Sequence, residues 1–281
     1  MPLPLAHPAA VLPLRRFCPR YFSFAALIVG SLAPDFAYSI DDLNKFSVTV
    51  THLLGSSAAD LTCVTEQWDW DDFSHTFLGS FGFCLPAGLL FLYLLHILRH
   101  DLAALLPNPH RDAVARWNGT DQPTFARSVI SLLIGIWLHI AWDSFTNGGR
   151  WFGHHLPFLH LNVINFGGRH LEFYRAFWWL STVGGTLALA LAYIRSLKAQ
   201  NHPLASDFRS ETRYYLFGLG ALLAAAMIAL PLALKFNQPG PSLQDFLSFG
   251  HRFVGYFLVA LSIVVLAAAI SLRVYRSRKA A

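Results

Sequence analysis

Five long runs of apolar residues are the feature that most constrains this chain. A helix needs roughly 20 apolar residues to cross a bilayer core about 30 Å thick. Only 13% of the 281 residues are charged, against about 25% in a typical soluble domain, so a water-facing surface would lack charges. The sequence therefore predicts an all-α, polytopic membrane helical bundle with about five full spans. These are Thr76–Leu98, Phe125–Trp142, Ala176–Ile194, Tyr214–Leu234 and Phe253–Leu272.

A sixth apolar segment, Phe22–Ala33, is shorter than a normal span. At about 1.5 Å per residue it covers only about 18 Å. Three arginines precede it, so a short span, a re-entrant helix and the apolar region of a signal peptide are all compatible with it. Pro34 directly after the candidate cleavage site argues against cleavage. We expect a short or re-entrant N-terminal helical segment within a single integral membrane domain, residues 1–281.

Basic residues are distributed unevenly between the two sides of these segments. With a cytoplasmic N-terminus and six crossings, 15 of the 21 Lys and Arg residues fall on the inner side and six on the outer side. The positive-inside rule then predicts a cytoplasmic C-terminus. A re-entrant first segment moves the N-terminus outside and leaves the other spans as they are. The net charge of +5 therefore reflects membrane orientation, and we expect no nucleic-acid partner.

The longest outer loop is acidic and ends in an alternating aromatic and acidic run, Trp68–Phe73. One interpretation is an aromatic belt at the membrane interface, on a solvated loop. The other interpretation is that this run shapes the mouth of a site.

His139 and Asp143 are the most informative ionisable residues. Ionisable groups at membrane depth are costly and indicate function. Their spacing of four places both on one helix face, where they could hold a metal ion from adjacent turns or form a plain hydrogen bond. A polar, glycine-containing break follows Asp143, so the pair is expected at the outer end of its span.

Two further segments bring ionisable residues to the same membrane face. His75 follows Ser74, which we expect to be the N-cap of the second span, and Asp35 follows Pro34 at the end of the short segment. Two histidines and two aspartates from three segments would form a first shell for a divalent ion. Imidazole with carboxylate suits zinc, with manganese or iron as alternatives. His7 can join them only if the N-terminal segment is re-entrant.

These residues occur in motifs that resemble a known family, domain-of-unknown-function family 4184, an uncharacterised bacterial membrane family. Their order is similar to that of a broader group of metal-dependent inner-membrane hydrolases, and distantly to the helical zinc-dependent phospholipase C fold. The Asp72–His75 run departs from the His-Arg-Gly that often precedes Ser-His-Thr in the broader group. The motif-bearing part covers residues 5–150, and the C-terminal spans, residues 174–273, match mainly in hydropathy. The four motifs are Ala6–Ala10, Gly30–Phe36, Phe73–Thr76 and His139–Thr146.

The resemblance implies a multi-pass protein of the bacterial inner membrane in which His7 belongs with the other four residues. We expect a metal-dependent hydrolase in which Asp35 or Asp143 acts as general base. Its substrate would be amphiphilic, such as a phospholipid or another phosphoester, and membrane lipids would surround it. The alternative is a non-enzymatic scaffold, a partner-binding protein or a metal-binding protein. One ion and two ions are both compatible with the ligand set, which is His7, Asp35, His75, His139 and Asp143.

Overall fold

Helices form nearly all of the regular structure of this protein. The computed structural model describes residues 4–38, 70–116, 123–166, 169–199, 208–236 and 243–280. Its helices are α1 (Leu12–Phe17), α2 (Phe24–Gly30), α3 (Trp70–Ser74), α4 (Phe77–Ala103), α5 (His110–Ala115), α6 (Phe125–Thr146), α7 (Trp151–His155), α8 (Phe173–Ala199), α9 (Phe208–Phe236) and α10 (Leu243–Ala280). Three 3-10 helices and an antiparallel hairpin complete the described elements: Pro4–Val11, Ala33–Asp35 and Pro157–His160, with strands β1 (Asn162–Phe166) and β2 (Arg169–Glu172).

Five of these helices contain segments long and apolar enough to cross a membrane. This confirms the predicted all-α, polytopic fold with five spans, because four predicted spans fall inside these helices and the other, Thr76–Leu98, begins only one residue before its helix. The helices extend beyond the apolar windows at most of their ends. The five segments are Phe77–Ala103, Phe125–Thr146, Phe173–Ala199, Glu211–Lys235 and Arg252–Lys279.

The N-terminal segment folds into short helices that return on themselves. Helix α2 has seven residues, about 10 Å of helix, which is far less than a bilayer core. His7 Nδ1 lies 3.7 Å from Asp35 Oδ2, although α1 and α2 lie between them in the chain. One crossing between these residues would put them on opposite faces of a membrane. The geometry therefore fits the re-entrant alternative.

The chain divides into two compact units. The first comprises residues 1–36, 71–93 and 120–200, and the second comprises residues 37–70, 94–119 and 201–281. In the second unit α9 and α10 pack through a small apolar core around Ala233 and Tyr256. All five predicted site residues belong to the first unit.

Two glycines allow α2 and α6 in the first unit to pack at main-chain distance. A Cβ atom on Gly30 would lie 2.3 Å from the Leu132 carbonyl oxygen, and one on Gly135 would lie 2.4 Å from the Leu27 carbonyl oxygen. Small residues permit this close approach between membrane helices. The C-terminal end of α2 is thereby held against the middle of α6, one turn before His139.

A third glycine brings the N-terminal 3-10 helix against α8. A Cβ atom on Gly185 would lie 3.0 Å from the Ala6 carbonyl oxygen. This contact places the residue next to Ala6, His7, in the interior of the unit. Of the two adjacent glycines of α8, Gly184 and Gly185, only Gly185 makes such a contact.

The N-cap of α4, the helix for which Ser74 was the predicted cap, is Thr76, so that prediction was wrong. Thr76 has an extended backbone, and its hydroxyl accepts a hydrogen bond from the Gly79 amide at 2.9 Å. Ser74 instead ends the preceding helix α3, and its buried hydroxyl lies 3.0 Å from the Pro34 carbonyl oxygen. The serine therefore ties α3 to the turn that carries Asp35, which a cap on α4 could not do.

Replacing Gly135 by Ala should destabilise the protein. The added methyl group meets main chain rather than a flexible side chain, so α2 must move, at an expected cost of about 1–3 kcal/mol. This exceeds the gain in helix propensity of about 1 kcal/mol. The matched control is Gly184→Ala, where an added Cβ meets nothing within 4 Å. Thermal unfolding in detergent should show a lower midpoint for Gly135→Ala alone, and equal midpoints would contradict the packing described.

Candidate functional site

Five ionisable side chains from four short stretches of chain meet in the first unit. They come from the N-terminal 3-10 helix, the 3-10 helix after α2, the junction of α3 and α4, and the last turns of α6. Each is at most 8% exposed. The structure thus brings together every residue named as a ligand from the sequence: His7, Asp35, His75, His139 and Asp143.

His139 is oriented by a main-chain carbonyl group. Its Nδ1 lies 2.7 Å from the Ser31 carbonyl oxygen, which can only accept a hydrogen bond, so Nδ1 carries the proton. In the neutral ring Nε2 then carries a lone pair, and this atom points into the cluster. It lies 3.6 Å from Asp35 Oδ1 and 3.8 Å from Asp143 Oδ2.

His75 is oriented in the same way by Asp71. Its Nδ1 lies 2.8 Å from the Asp71 carbonyl oxygen and 3.1 Å from Asp71 Oδ1, and both are acceptors. Its Nε2 faces inward, 3.3 Å from His139 Nε2 and 3.5 Å from Asp143 Oδ2. Two ring nitrogens therefore face each other beside a carboxylate.

His7 lies between the two carboxylates. Its Nε2 is 2.9 Å from Asp143 Oδ1, a hydrogen-bonding distance, whereas its Nδ1 is 3.7 Å from Asp35 Oδ2. The ring stacks on His139 with centroids 3.9 Å apart. Each carboxylate thus has one oxygen towards His7 and the other towards His139.

The cluster contains more hydrogen-bond acceptors than donors. Asp35 Oδ2 and Asp143 Oδ2 are buried and have no hydrogen-bond partner among the described residues. Two overlapping groups of ligand atoms lie within 4.8 Å of one another: His7 with His139 and Asp143, and Asp35 with His75 and His139. Unpaired buried acceptors are costly, and a cation at the centre would satisfy them. These groups could hold a metal ion.

Burial and neighbouring charges change the pKa values of Asp35 and His75, which both lie outside the spans. Burial raises the pKa of the Asp35 carboxyl to about 7, and the histidines beside it only partly oppose this. Burial alone would lower the pKa of His75, but the neighbouring carboxylates of Asp143 and Asp71 outweigh burial and raise that pKa to about 9. Without a metal ion Nε2 of His75 is therefore protonated at neutral pH, and it offers a lone pair only when a metal ion displaces that proton.

Asp71 and Arg150 connect the buried cluster to the surface, and neither was among the predicted site residues. Arg150 donates to Asp71 Oδ2 at 3.0 Å and to Asp72 Oδ1 at 3.1 Å. Asp71 is partly exposed, and it contacts His75 directly. The alternating aromatic and acidic run that contains Asp71 was the available signal, and both interpretations of that run stay predictions. Trp68 and Asp69 of that run lie outside the described residues.

Fold and site together define a multi-pass protein of the membrane type, with a buried cluster of histidines and aspartates that could hold a metal ion. The chain belongs to the family described as Domain of unknown function (DUF4184), whose sequence model matches residues 1–240. This match includes all five cluster residues and four of the five apolar spans. No curated protein and no solved structure matches the chain.

The raised pKa of Asp35 predicts how stability depends on pH in the absence of metal. The folded state favours the neutral carboxyl, whereas the unfolded chain ionises near pH 4, so folding stability falls as the pH rises from about 4 to about 7. Asp35→Asn removes this cost. With a chelator at pH 8, its thermal midpoint should exceed that of the wild type, and at pH 4 the two should agree.

The control for this comparison is Asp112→Asn, which removes the same charge from an exposed helix. It should leave the midpoint nearly unchanged at both pH values. A lower midpoint for Asp35→Asn at pH 8 would show that the Asp35 charge stabilises the metal-free protein, contrary to the geometry.

Proposed function

We propose that this protein is a membrane-embedded, metal-dependent hydrolase. One observation carries the proposal: His75 Nε2 and His139 Nε2 lie 3.3 Å apart, while both Nδ1 atoms are engaged by acceptor oxygens. Outer hydrogen bonds of this kind commonly orient metal-binding histidines. Two lone pairs would repel at this distance, so either a metal ion or the proton that the raised pKa keeps on His75 must separate them, and a metal ion could take the place of that proton.

The donor set supports a divalent transition metal. It combines imidazole nitrogens with carboxylate oxygens, which suits zinc, manganese or iron. Cys84 offers no thiolate to the cluster in this arrangement, because its Sγ lies 3.2 Å from the Ser74 carbonyl oxygen as a donor. We place zinc first, with His7, Asp35, His75, His139 and Asp143 as the ligand set.

Asp35 is the residue that we assign as general base. A bound divalent ion would supply Lewis acidity, which activates water and polarises a substrate oxygen. Asp143 is engaged by His7 at 2.9 Å, whereas the nearest histidine nitrogen to Asp35 is at 3.6 Å. A pKa near 7 suits proton exchange at neutral pH. Asp35 would accept a proton from the attacking water, and the leaving alkoxide would take it up when the ester bond breaks.

The position of the cluster supports an amphiphilic ester as substrate. His139 and Asp143 lie near the end of one apolar helix, and His75 lies two residues before another begins. The site would thus be within reach of lipid headgroups, and a phospholipid or another phosphoester is the substrate class that we propose. The uneven distribution of Lys and Arg supports a bacterial inner-membrane location with a cytoplasmic C-terminus.

The burial of the cluster favours a second candidate, a structural metal site in a non-enzymatic scaffold. Structural sites are closed, whereas catalytic sites keep an open position for water or substrate. All five side chains are nearly inaccessible in this structure. Such a site would lock the first unit together for partner binding. Both candidates predict that the purified protein binds metal, but only the hydrolase predicts turnover of a substrate.

Metal content tests the site common to both candidates. His139→Ala should reduce the metal bound to the purified protein by about tenfold or more, as measured by mass spectrometry of the metals. His155→Ala is the matched control, because this histidine is exposed and bonds only to the Trp151 carbonyl within the described structure. Equal metal content in both variants would contradict the proposed metal site. Asp35→Asn, which hardly changes the size of the side chain, is a second variant for the same measurement.

Turnover separates the two candidates. The purified full chain in lipid nanodiscs should cleave phospholipids or a chromogenic phosphodiester, lose this activity with a chelator, and regain it with Zn²⁺ or Mn²⁺. Asp35→Asn should lower kcat by about 10²- to 10⁴-fold, whereas Asp112→Asn should not. Metal-loaded wild-type protein without turnover on lipids and on the chromogenic ester would favour the structural candidate.

A further inference from the structure

The segment between α6 and α8 exposes apolar side chains beside the cluster. We define the outer apolar surface by Trp151, Phe158, Leu161, Val163 and Ile164. Trp151 is 61% exposed, Leu161 64%, Val163 50% and Ile164 54%. The strand register is irregular between Asn162 and Ile164, and Val163 and Ile164 are both left uncovered there. Exposed apolar patches of this kind mark interaction sites.

This surface is held close to the end of α6. Phe152 stacks on Phe145 with ring centroids 4.2 Å apart. Phe145 follows Asp143 by only two residues. A Cβ atom on Gly153 would lie 2.4 Å from the Gly148 carbonyl oxygen, so α7 folds back directly on the end of α6. His160 Nε2 lies 3.1 Å from the Gly153 carbonyl oxygen and ties the following 3-10 helix to α7.

Both ends of the segment are attached to helices of membrane-spanning length. Helix α6 ends at Thr146 and α8 begins at Phe173, and the intervening residues 147–172 therefore start and finish at one face of the membrane. The Phe173 amide donates to the Leu161 carbonyl at 3.0 Å, which fixes the hairpin at the beginning of α8. The outer apolar surface thus lies at the level where lipid headgroups meet acyl chains.

We propose that the outer apolar surface inserts into the adjoining lipid leaflet, with the bilayer of the protein itself as its partner. Tryptophan and other aromatic side chains favour this interface, where an apolar body and a polar tip are both accommodated. His155, stacked on Trp151 with centroids 4.4 Å apart, supplies a polar edge. A two-stranded hairpin is marginal in water, and this one, with Val163 and Ile164 exposed, gains stability when acyl chains cover it.

Insertion also suggests how a lipid would enter the site. Arg150 precedes Trp151 of the outer apolar surface and donates to Asp71, which contacts His75. A lipid beside Trp151 would thus be next to the Asp71 and Arg150 side of His75. Substrate entry by this route rests on the proposed hydrolase function, whereas lipid contact does not. The two can therefore be measured separately.

Lipid contact is tested by photo-crosslinking in the full chain. A benzophenone amino acid replaces Ile164 in protein reconstituted into nanodiscs of phosphatidylethanolamine and phosphatidylglycerol. Leu187, exposed on the apolar helix α8, is the lipid-facing control, and Asp72, whose side chain is 74% exposed, is the water-facing control. Mass spectrometry should find lipid adducts at position 164 comparable to those at 187 and well above those at 72.

Adducts at position 164 with another protein chain, or lipid adducts no more frequent than at position 72, would overturn the proposal. Neither result depends on enzymatic activity, so failure of the hydrolase proposal remains distinguishable. If the protein is active, the double variant Val163→Asp, Ile164→Asp should lower turnover of nanodisc lipid by about tenfold, equivalent to about 1.4 kcal/mol. Turnover of a short-chain, water-soluble ester should stay unchanged, and an equal loss on both substrates would refute the entry route.

Discussion

The main-chain contact between α2 and α6 is the constraint on which the site depends. Gly30 and Gly135 bring the two backbones together, and Ser31, the residue after Gly30, then reaches His139 with its carbonyl oxygen. The turn after α2 also places Asp35 beside α6. A side chain at either glycine would separate the two helices, and the orientation of His139 would change with them. Packing without polar groups thus determines the geometry of a polar cluster.

Burying the cluster in the interior of a membrane protein costs free energy, because charged groups lose their hydration. Two carboxylates are buried among three imidazoles, and two of their oxygens lack hydrogen bonds within the described structure. A buried ion pair is weak evidence for stability, since apolar side chains of similar volume often serve as well. Strained electrostatics of this kind concentrate at functional sites. The arrangement is that of groups that could hold a metal ion.

Hydropathy and spacing were sufficient to predict the spans and to bring Asp35, His75, His139 and Asp143 to one membrane face, whereas the inclusion of His7 was predicted from the family resemblance. A bilayer imposes a minimum apolar length, and helical spacing puts His139 and Asp143 on one face. The carbonyl group that orients His139 could not be predicted, because every residue has one and only the close helix contact selects Ser31. The cap was misplaced by two residues, since Ser74 and Thr76 are both good N-caps and only the fold shows which one begins the helix. The metal role of the cluster stays a prediction.

The hydrogen bond from Ser74 to the Pro34 carbonyl has a consequence for how relatives of this chain can diverge. It joins residues 40 positions apart in the chain, so both ends of the intervening segment are held at the cluster. The entropy of closing such a segment depends only weakly on its length, by about 0.6 kcal/mol per doubling. Insertions and deletions between Pro34 and Ser74 are therefore expected to change the folding stability only slightly. Evolution can therefore change the length and sequence of this segment while the cluster residues stay in place.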